Sequence, residues 1–188
     1  RSRMPAWIVW LAWRGMNPAT RPRLITTLHG LHSVSWYSKI MGRGELVIAV
    51  SQTAKQYLID HCNVPQESIR VIYRGTDPAE FPRNYQPSDT WLAKWRADFP
   101  PLQGKRIIAL PGRLSRLKGH HHLVTLIRHL KNQGITDVAG IIVGGIDPQH
   151  DSYVSELKAS IHEAGLNDEI VFTDHRTDMR EIYAISTL

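Results

Sequence analysis

Cysteine is almost absent from this chain: Cys62 is the only one in 188 residues. An internal disulfide is therefore excluded, and residue usage fits a reducing compartment. Long apolar runs are missing too. The most apolar stretch, Pro5 to Trp13, falls far short of the roughly 20 residues that cross a bilayer. There is no low-complexity tract and no block of like charge long enough to suggest a disordered tail. No signal-peptide pattern opens the sequence. It starts at Arg1 without an initiator Met, and both ends read as cut from something longer.

What is present is an ordinary globular mixture, 42% hydrophobic and 21% charged, enough to bury a real core. The formal net charge of +6 favours anionic partners. Charge alone does not choose among phosphorylated small molecules, nucleic acid and a membrane surface.

The pattern along the chain alternates apolar runs with helical segments. A first helix, with Pro5 in its opening turn and Gly15 at its end, is apolar nearly all round, which predicts burial or insertion at an interface. Trp7, Trp10 and Trp13 are read as core. The runs Leu24–Leu28, Leu46–Val50 and Ile69–Tyr73 lack alternation, as strands buried on both faces do. Ser51 is placed to cap a helix from Gln52 to His61. Between residues 77 and 88 the pattern breaks at Pro78, Pro82 and Pro87, the best linker candidate. A short helix with Trp91, Leu92 and Trp95 follows. The alternation then resumes: strands Arg106–Leu110, Val138–Val143 and Ile170–Phe172, with helices carrying Leu123, Ile127 and Leu130, then Tyr153, Leu157 and Ile161. A last helix runs from Glu181 to Ser186. Two such series across a proline-rich joint predict two doubly wound parallel-sheet α/β domains, 1–82 and 83–188.

Ligands of open parallel sheets bind beyond the carboxyl ends of the strands. That rule selects His29-Gly30, Ser51, Arg74-Gly75, the loop Gly112 to Gly119, Gly144-Gly145 and Thr173 to Asp178. The loop Gly112-Arg113-Leu114-Ser115-Arg116-Leu117-Lys118-Gly119 follows a strand, opens a helix and carries three cations. A helix N-terminus attracts phosphate through free N–H groups and its dipole. The glycine spacing is neither that of a Walker A loop nor that of a dinucleotide fold, and Gly119 offers no hydroxyl to magnesium. A solvated basic turn is the plainer alternative.

Gly112-Arg113-Leu114…Lys118-Gly119 resembles the corresponding element of the family 4 retaining glycosyltransferases. Thr27-Leu28-His29-Gly30, Val47 to Ser51, Tyr73-Arg74-Gly75-Thr76-Asp77 and Phe81 are similar to that family's N-domain end, in order. Arg1 to Trp7 is similar to members that build lipopolysaccharide cores. The resemblance implies the GT-B arrangement of two Rossmann-like domains: the end of an acceptor-side domain, then the start of a nucleotide-sugar-binding domain. It implies a cytoplasmic hexosyltransferase that moves a sugar from a UDP- or GDP-linked donor, with retention and without metal or other cofactor. The acceptor would be a cell-envelope glycan or glycolipid. By residue, the resemblance puts the donor diphosphate on Gly112, Arg113 and Lys118, an acceptor-side catalytic contact on His29, and the nucleotide near Gly144, His175 and Arg176. The family's glutamate pair would lie past Leu188, so the chain by itself is expected not to transfer sugar.

Competing readings stay open at this point. They are a sugar-nucleotide epimerase of the same fold, a non-catalytic anion-binding domain and a nucleic-acid-binding module. Dispersed basic residues and the lack of a nucleic-acid motif argue against the last, and nucleic acid is not an expected partner. A peripheral contact with the inner face of the membrane would need an exposed apolar face. His29 has a plainer role as a histidine bonded to a neighbouring loop. His120-His121-His122 cannot all face one ion on a helix and read as a solvated first turn. Asp178 reads as a helix cap and Cys62 as buried and inert.

Overall fold

The computed structural model describes residues 2–145 and 151–187; Arg1, at the head of the lipopolysaccharide-type segment, and Leu188 lie outside them. The chain forms two compact units, Arg1–Thr76 and Asp77–Leu188. Residues 77–82, placed by sequence with the first domain, go with the second unit, where Phe81 meets Tyr183 edge-on at 6.1 Å between ring centroids.

The first unit has three parallel strands in the order β1 (Ile25–Leu28), β2 (Leu46–Ala49), β3 (Ile69–Val71). Helix α1 (Arg3–Arg14) precedes them and α2 (Gln52–Cys62) follows β2. Ser51 caps α2 as its sequence suggests, its hydroxyl accepting from the Ala54 amide at 3.0 Å. Leu28, Val47, Ala49, Leu58 and Ile69 make the core with Ile40 and Met41 from a 3₁₀ turn.

Helix α1 departs from expectation. None of its residues is buried, and its three tryptophans are half-buried rather than core. The helix packs through one stripe only, Trp7 donating to the Tyr37 carbonyl at 3.1 Å. Met4, Ile8 and Leu11, at helical spacing on another stripe, are open to solvent. An all-round apolar helix is buried only when neighbours cover it on every side.

The second unit contains α3 (Asp89–Asp98), β4 (Arg106–Pro111), α4 (His120–Asn132), β5 (Val138–Val143), α5 (Asp151–Glu163), β6 (Ile170–Phe172) and α6 (Met179–Ile185). Its sheet is parallel, in the order β4-β5-β6. All six residues of β5 are buried. Val138 and Ile142 join the cluster built by α4 and α5, whereas Ala139, Ile141 and Val143 join the one with Trp95 and Ile182. That two-sided burial is why β5 reads as an unbroken apolar run. Helix α6 stops at Ile185 rather than Ser186. Ser186 instead forms a parallel bridge to Ile107, and the Thr187 amide donates to the Ile107 carbonyl at 2.7 Å.

The entry to α4 is a second departure. His120 is completely buried, not part of a solvated turn. Gly119, at φ +75°, reverses the chain just ahead of it, in a conformation that side-chain-bearing residues rarely adopt. The imidazole lies 6.3 Å from the Tyr153 ring, and neither ring nitrogen makes a well-formed hydrogen bond. The backbone of Ser115 and Gly112 is its polar surrounding, and burial pushes its pKa below the ordinary histidine value.

Two outcomes follow from this packing. Ile141→Ala should cost about 2–5 kcal/mol, the usual range for a large-to-small change in a full core. Ile8→Ala on the open stripe of α1 should cost no more than about 0.5 kcal/mol. Urea titration followed by tryptophan fluorescence checks both, since Trp95 packs in the same cluster as Ile141. His120 supplies the second outcome. Folded, this ring binds protons less readily than in the unfolded chain, so stability present above about pH 6.5 is lost as pH falls below it. The unfolding midpoint of the second unit should drop as the pH falls below about 6.5, and His120→Leu should flatten that slope.

Candidate functional site

The loop after β4 is built on a close approach of two backbones. The Gly112 amide donates to the Val143 carbonyl at 2.8 Å, continuing the β4–β5 ladder past the end of β4. The Gly144 amide donates to the Asp174 carbonyl at 2.9 Å. A Cβ on Gly144 would stand 2.0 Å from the Gly112 carbonyl oxygen, so no other residue fits there without moving the loop. Gly112 itself has φ +155°, outside the range that side-chain-bearing residues readily use. Asp174 holds φ +55°, a left-handed turn that Asp tolerates better than most.

Leu114, 1% exposed, pins the loop into the α4–α5 core. A 3₁₀ turn, Arg116–Lys118, then leads to Gly119, which has no side chain to cap α4. No side chain caps the first amides of the helix, and the His122 amide turns back on the Gly119 carbonyl at 2.8 Å.

Three cations of this loop have different environments. Arg116 pairs with Glu156 of α5 and lies 5.3 Å from the Tyr153 ring centroid. Arg113 and Lys118 are exposed, and neither has a carboxylate partner among the described residues. The Lys118 stem runs across Gly112, its Cδ 3.3 Å from where a Cβ would be.

Beside the loop opens a cleft of about 340 Å³. Gly112, Arg113, Gly144, His175 and Arg176, all singled out from sequence, line it, together with Met179 and Tyr183 of α6. Lys118 is not among its lining residues. The guanidinium of Arg176 is committed to Asp178 through two hydrogen bonds, at 2.9 and 2.6 Å. Asp178 also accepts from the Trp91 indole at 2.7 Å. It stands at the N-cap of α6, but its side chain makes no capping bond. The Arg176 bonds hold the Asp178 carboxyl below the usual carboxylate range, ahead of a smaller opposing effect of burial. This network fixes the 173–178 segment to α3. Asp174 lies in the segment that the strand-end rule selects, whereas Trp91 and Tyr183 were not read from sequence as site residues.

In the first unit, His29 follows β1 directly and is half-buried. Its Nδ1 lies 2.6 Å from a guanidinium nitrogen of Arg74, in the segment after β3. Cys62 is only half-buried, with its thiol pKa pushed up by burial. Among the described residues no three His, Cys, Asp or Glu side chains are grouped to hold a metal, and no helix is long and apolar enough to cross a membrane.

Comparison with known proteins agrees with this architecture. Residues 1–80 match the model for Glycosyltransferase Family 4, and residues 93–188 match that for Glycosyl transferases group 1. A glycosyltransferase from Rickettsia africae ESF-5 is 29% identical, with a TM-score of 0.80 over 99% of this chain and 48% of its own. Anabaena Alr3699/HepE, solved in complex with UDP and glucose, is 25% identical, with a TM-score of 0.78 over 98% of this chain and 49% of its own. The lipopolysaccharide core biosynthesis mannosyltransferase LpcC of Rhizobium leguminosarum bv. viciae is 28% identical over 153 residues, 81% of this chain and 40% of that protein. The chain spans about a third of the length of the two other curated relatives it matches. Two parallel-sheet α/β units, the glycine-built loop between β4 and α4, and a model match over residues 93–188 place the chain in the glycosyl transferases group 1 family, with the GT-B fold.

Proposed function

We propose that this chain carries the donor-diphosphate site of a nucleotide-sugar-dependent glycosyltransferase. The observation that carries the reading is the pair of cations without a carboxylate partner among the described residues, Arg113 and Lys118, flanking an uncapped helix N-terminus beside the Gly112–Gly144 cleft. In sugar transfer the bond between the anomeric carbon and the diphosphate oxygen breaks. The diphosphate leaves with the electron pair, and an acceptor oxygen takes its place. Charge grows on the leaving oxygen as that bond opens. Donors already fixed in place stabilise it without reorganising at the moment of reaction.

In this reading Arg113 supplies a fork of donors, Lys118 a point charge, and the first amides of α4 the rest. Gly112 and Gly144 let the backbone come close. His175 and Arg176 stand by the nucleotide, with Arg176 acting through the loop it ties to Asp178. The complex of HepE with UDP supports uridine as the base, with a guanosine-linked donor as the other arm of the test. Metal-independent transfer with retention is the family pattern that the Gly112–Gly119 loop matches. His29 would contact sugar on the acceptor side. The likeness to LpcC supports a cell-envelope glycan or glycolipid acceptor. The open stripe Met4, Ile8 and Leu11, with Arg3 and Arg14 on the same helix, supports a peripheral contact with the inner face of the cytoplasmic membrane.

Calorimetric titration with uridine and guanosine diphosphate tests the site. Arg113→Ala and Lys118→Ala should each weaken binding by about 1.5–3 kcal/mol, the scale of a charge-assisted contact. Arg116→Ala, already paired with Glu156, should change it by less than about 0.5 kcal/mol. Equal losses at all three positions would mean a diffuse basic patch instead. Gly144→Ala should abolish binding while leaving all three cations in the sequence, because its Cβ displaces the Gly112 carbonyl. Retained binding in that variant would move the site elsewhere.

A further inference from the structure

Asp178 stands at the N-cap of α6, where an aspartate ordinarily accepts a hydrogen bond from its own helix. Its side chain accepts none from α6. The carboxylate is turned sideways instead. Oδ1 accepts from Arg176 Nε at 2.9 Å. Oδ2 accepts from a terminal guanidinium nitrogen of Arg176 at 2.6 Å and from the Trp91 indole at 2.7 Å. Trp91 belongs to α3, 87 residues earlier in the chain. Its ring stacks on Trp95 with 5.3 Å between centroids, and the Arg176 guanidinium lies 5.7 Å from the Trp95 ring. Trp95 is buried with Ile107, Ile141 and Ile182, so the far end of this series of contacts is fixed in the core.

The near end is the segment 174–177, beside the cleft. Its start is tied to the sheet: the Thr173 amide donates to the Ile142 carbonyl at 3.0 Å, and the Asp174 carbonyl accepts from Gly144. Asp174 then turns the chain at φ +55°. Asp174, His175 and Thr177 are exposed, whereas Arg176 and Asp178 are half-buried. An exposed stretch with few packed side chains opens easily unless something anchors it. Here the anchor is the carboxylate that joins Arg176 to Trp91.

We propose that Trp91 and Asp178 are positioning residues for the nucleoside half of the donor, holding the 174–177 backbone in the path that seats a base. The proposal rests on the donor-site reading and adds to it two residues that do not line the cleft. It also divides the labour. The diphosphate depends on the loop before α4, and the nucleoside depends on α3 acting through one carboxylate. An aspartate that forgoes its own helix cap for this contact gives up local helix stability in exchange for a fixed loop.

Calorimetric titration of the 188-residue chain with uridine diphosphate and with inorganic pyrophosphate separates the two halves of the ligand. Trp91→Phe keeps a ring on Trp95 and removes the indole N–H. It should weaken uridine diphosphate binding about five- to ten-fold, as the competent loop path becomes a minority state, and change pyrophosphate binding by less than about two-fold. Asp178→Asn, the same shape without the charge, should weaken uridine diphosphate at least as much and should not weaken pyrophosphate. In an Arg176→Gln background, Trp91→Phe should add less than about two-fold, since both changes act through one carboxylate. Unchanged uridine diphosphate affinity in Trp91→Phe, equal losses for both compounds, or losses that multiply in the Arg176→Gln background overturn the proposal. If Trp91→Phe lowers the unfolding midpoint so far that the chain is not folded, Asp178→Asn decides by showing the split or lacking it. A wild-type chain that binds neither compound overturns the donor-site reading and this proposal with it. Wild-type binding with no split in either variant overturns the proposal alone.

Discussion

Everything argued for the second unit depends on one close approach, that of the Gly112 carbonyl to Gly144. The place where a side chain would begin on Gly144 is 2.0 Å from that oxygen. With no side chain there, the ends of β4 and β5 stay in register past the last ladder pair, and the cleft keeps a floor of bare backbone. The loop pays out from this crossing to Leu114, buried in the core, and then to Gly119, whose left-handed turn starts α4. Arg113 and Lys118 are where they are because these anchors leave them no packed alternative.

The distribution of charge follows from the same scaffold. A net charge of +6 on a chain this size suggests a diffuse basic surface. Among the described residues the structure pairs five of its cations with carboxylates. Arg106 pairs with Asp137, Arg116 with Glu156, Lys131 with Glu169, Arg176 with Asp178 and Arg180 with Glu181. Exposed pairs of this kind contribute little to stability. Their effect at this site is to commit Arg116 and Arg176 to carboxylates, so that Arg113 and Lys118 stand out beside the uncapped helix. His120 adds a neutral, buried ring directly under the loop.

Much of the fold was legible in the sequence because strands buried on both faces leave an unambiguous mark. The run Val138–Val143 could be little else, and Ser51 announced the helix it caps. Rules about strand ends also named six of the residues that line the cleft beside β4. Other features left no local trace. The exposure of α1 depends on what covers it, which its own composition does not encode. The burial of His120 depends on a left-handed glycine just before it, which turns that one ring inward while His121 and His122 stay exposed. The commitment of Arg176 to Asp178 and Trp91 needs the loop path of residues 173–178, and the Arg74–His29 contact joins strand exits far apart in the chain. Each of these is a relation between elements rather than a property of one.

The central claim is that an anion is held by backbone amides at the start of α4, with Arg113 and Lys118 over them. Amide chemical-shift mapping during a titration with uridine diphosphate reads this residue by residue. Saturable shifts concentrated at Gly112, Gly119, His120, His121 and Gly144 are expected. Shifts spread over exposed arginines of α1 and the Arg74 segment, and reproduced by single-stranded DNA at the same ionic strength, would contradict it.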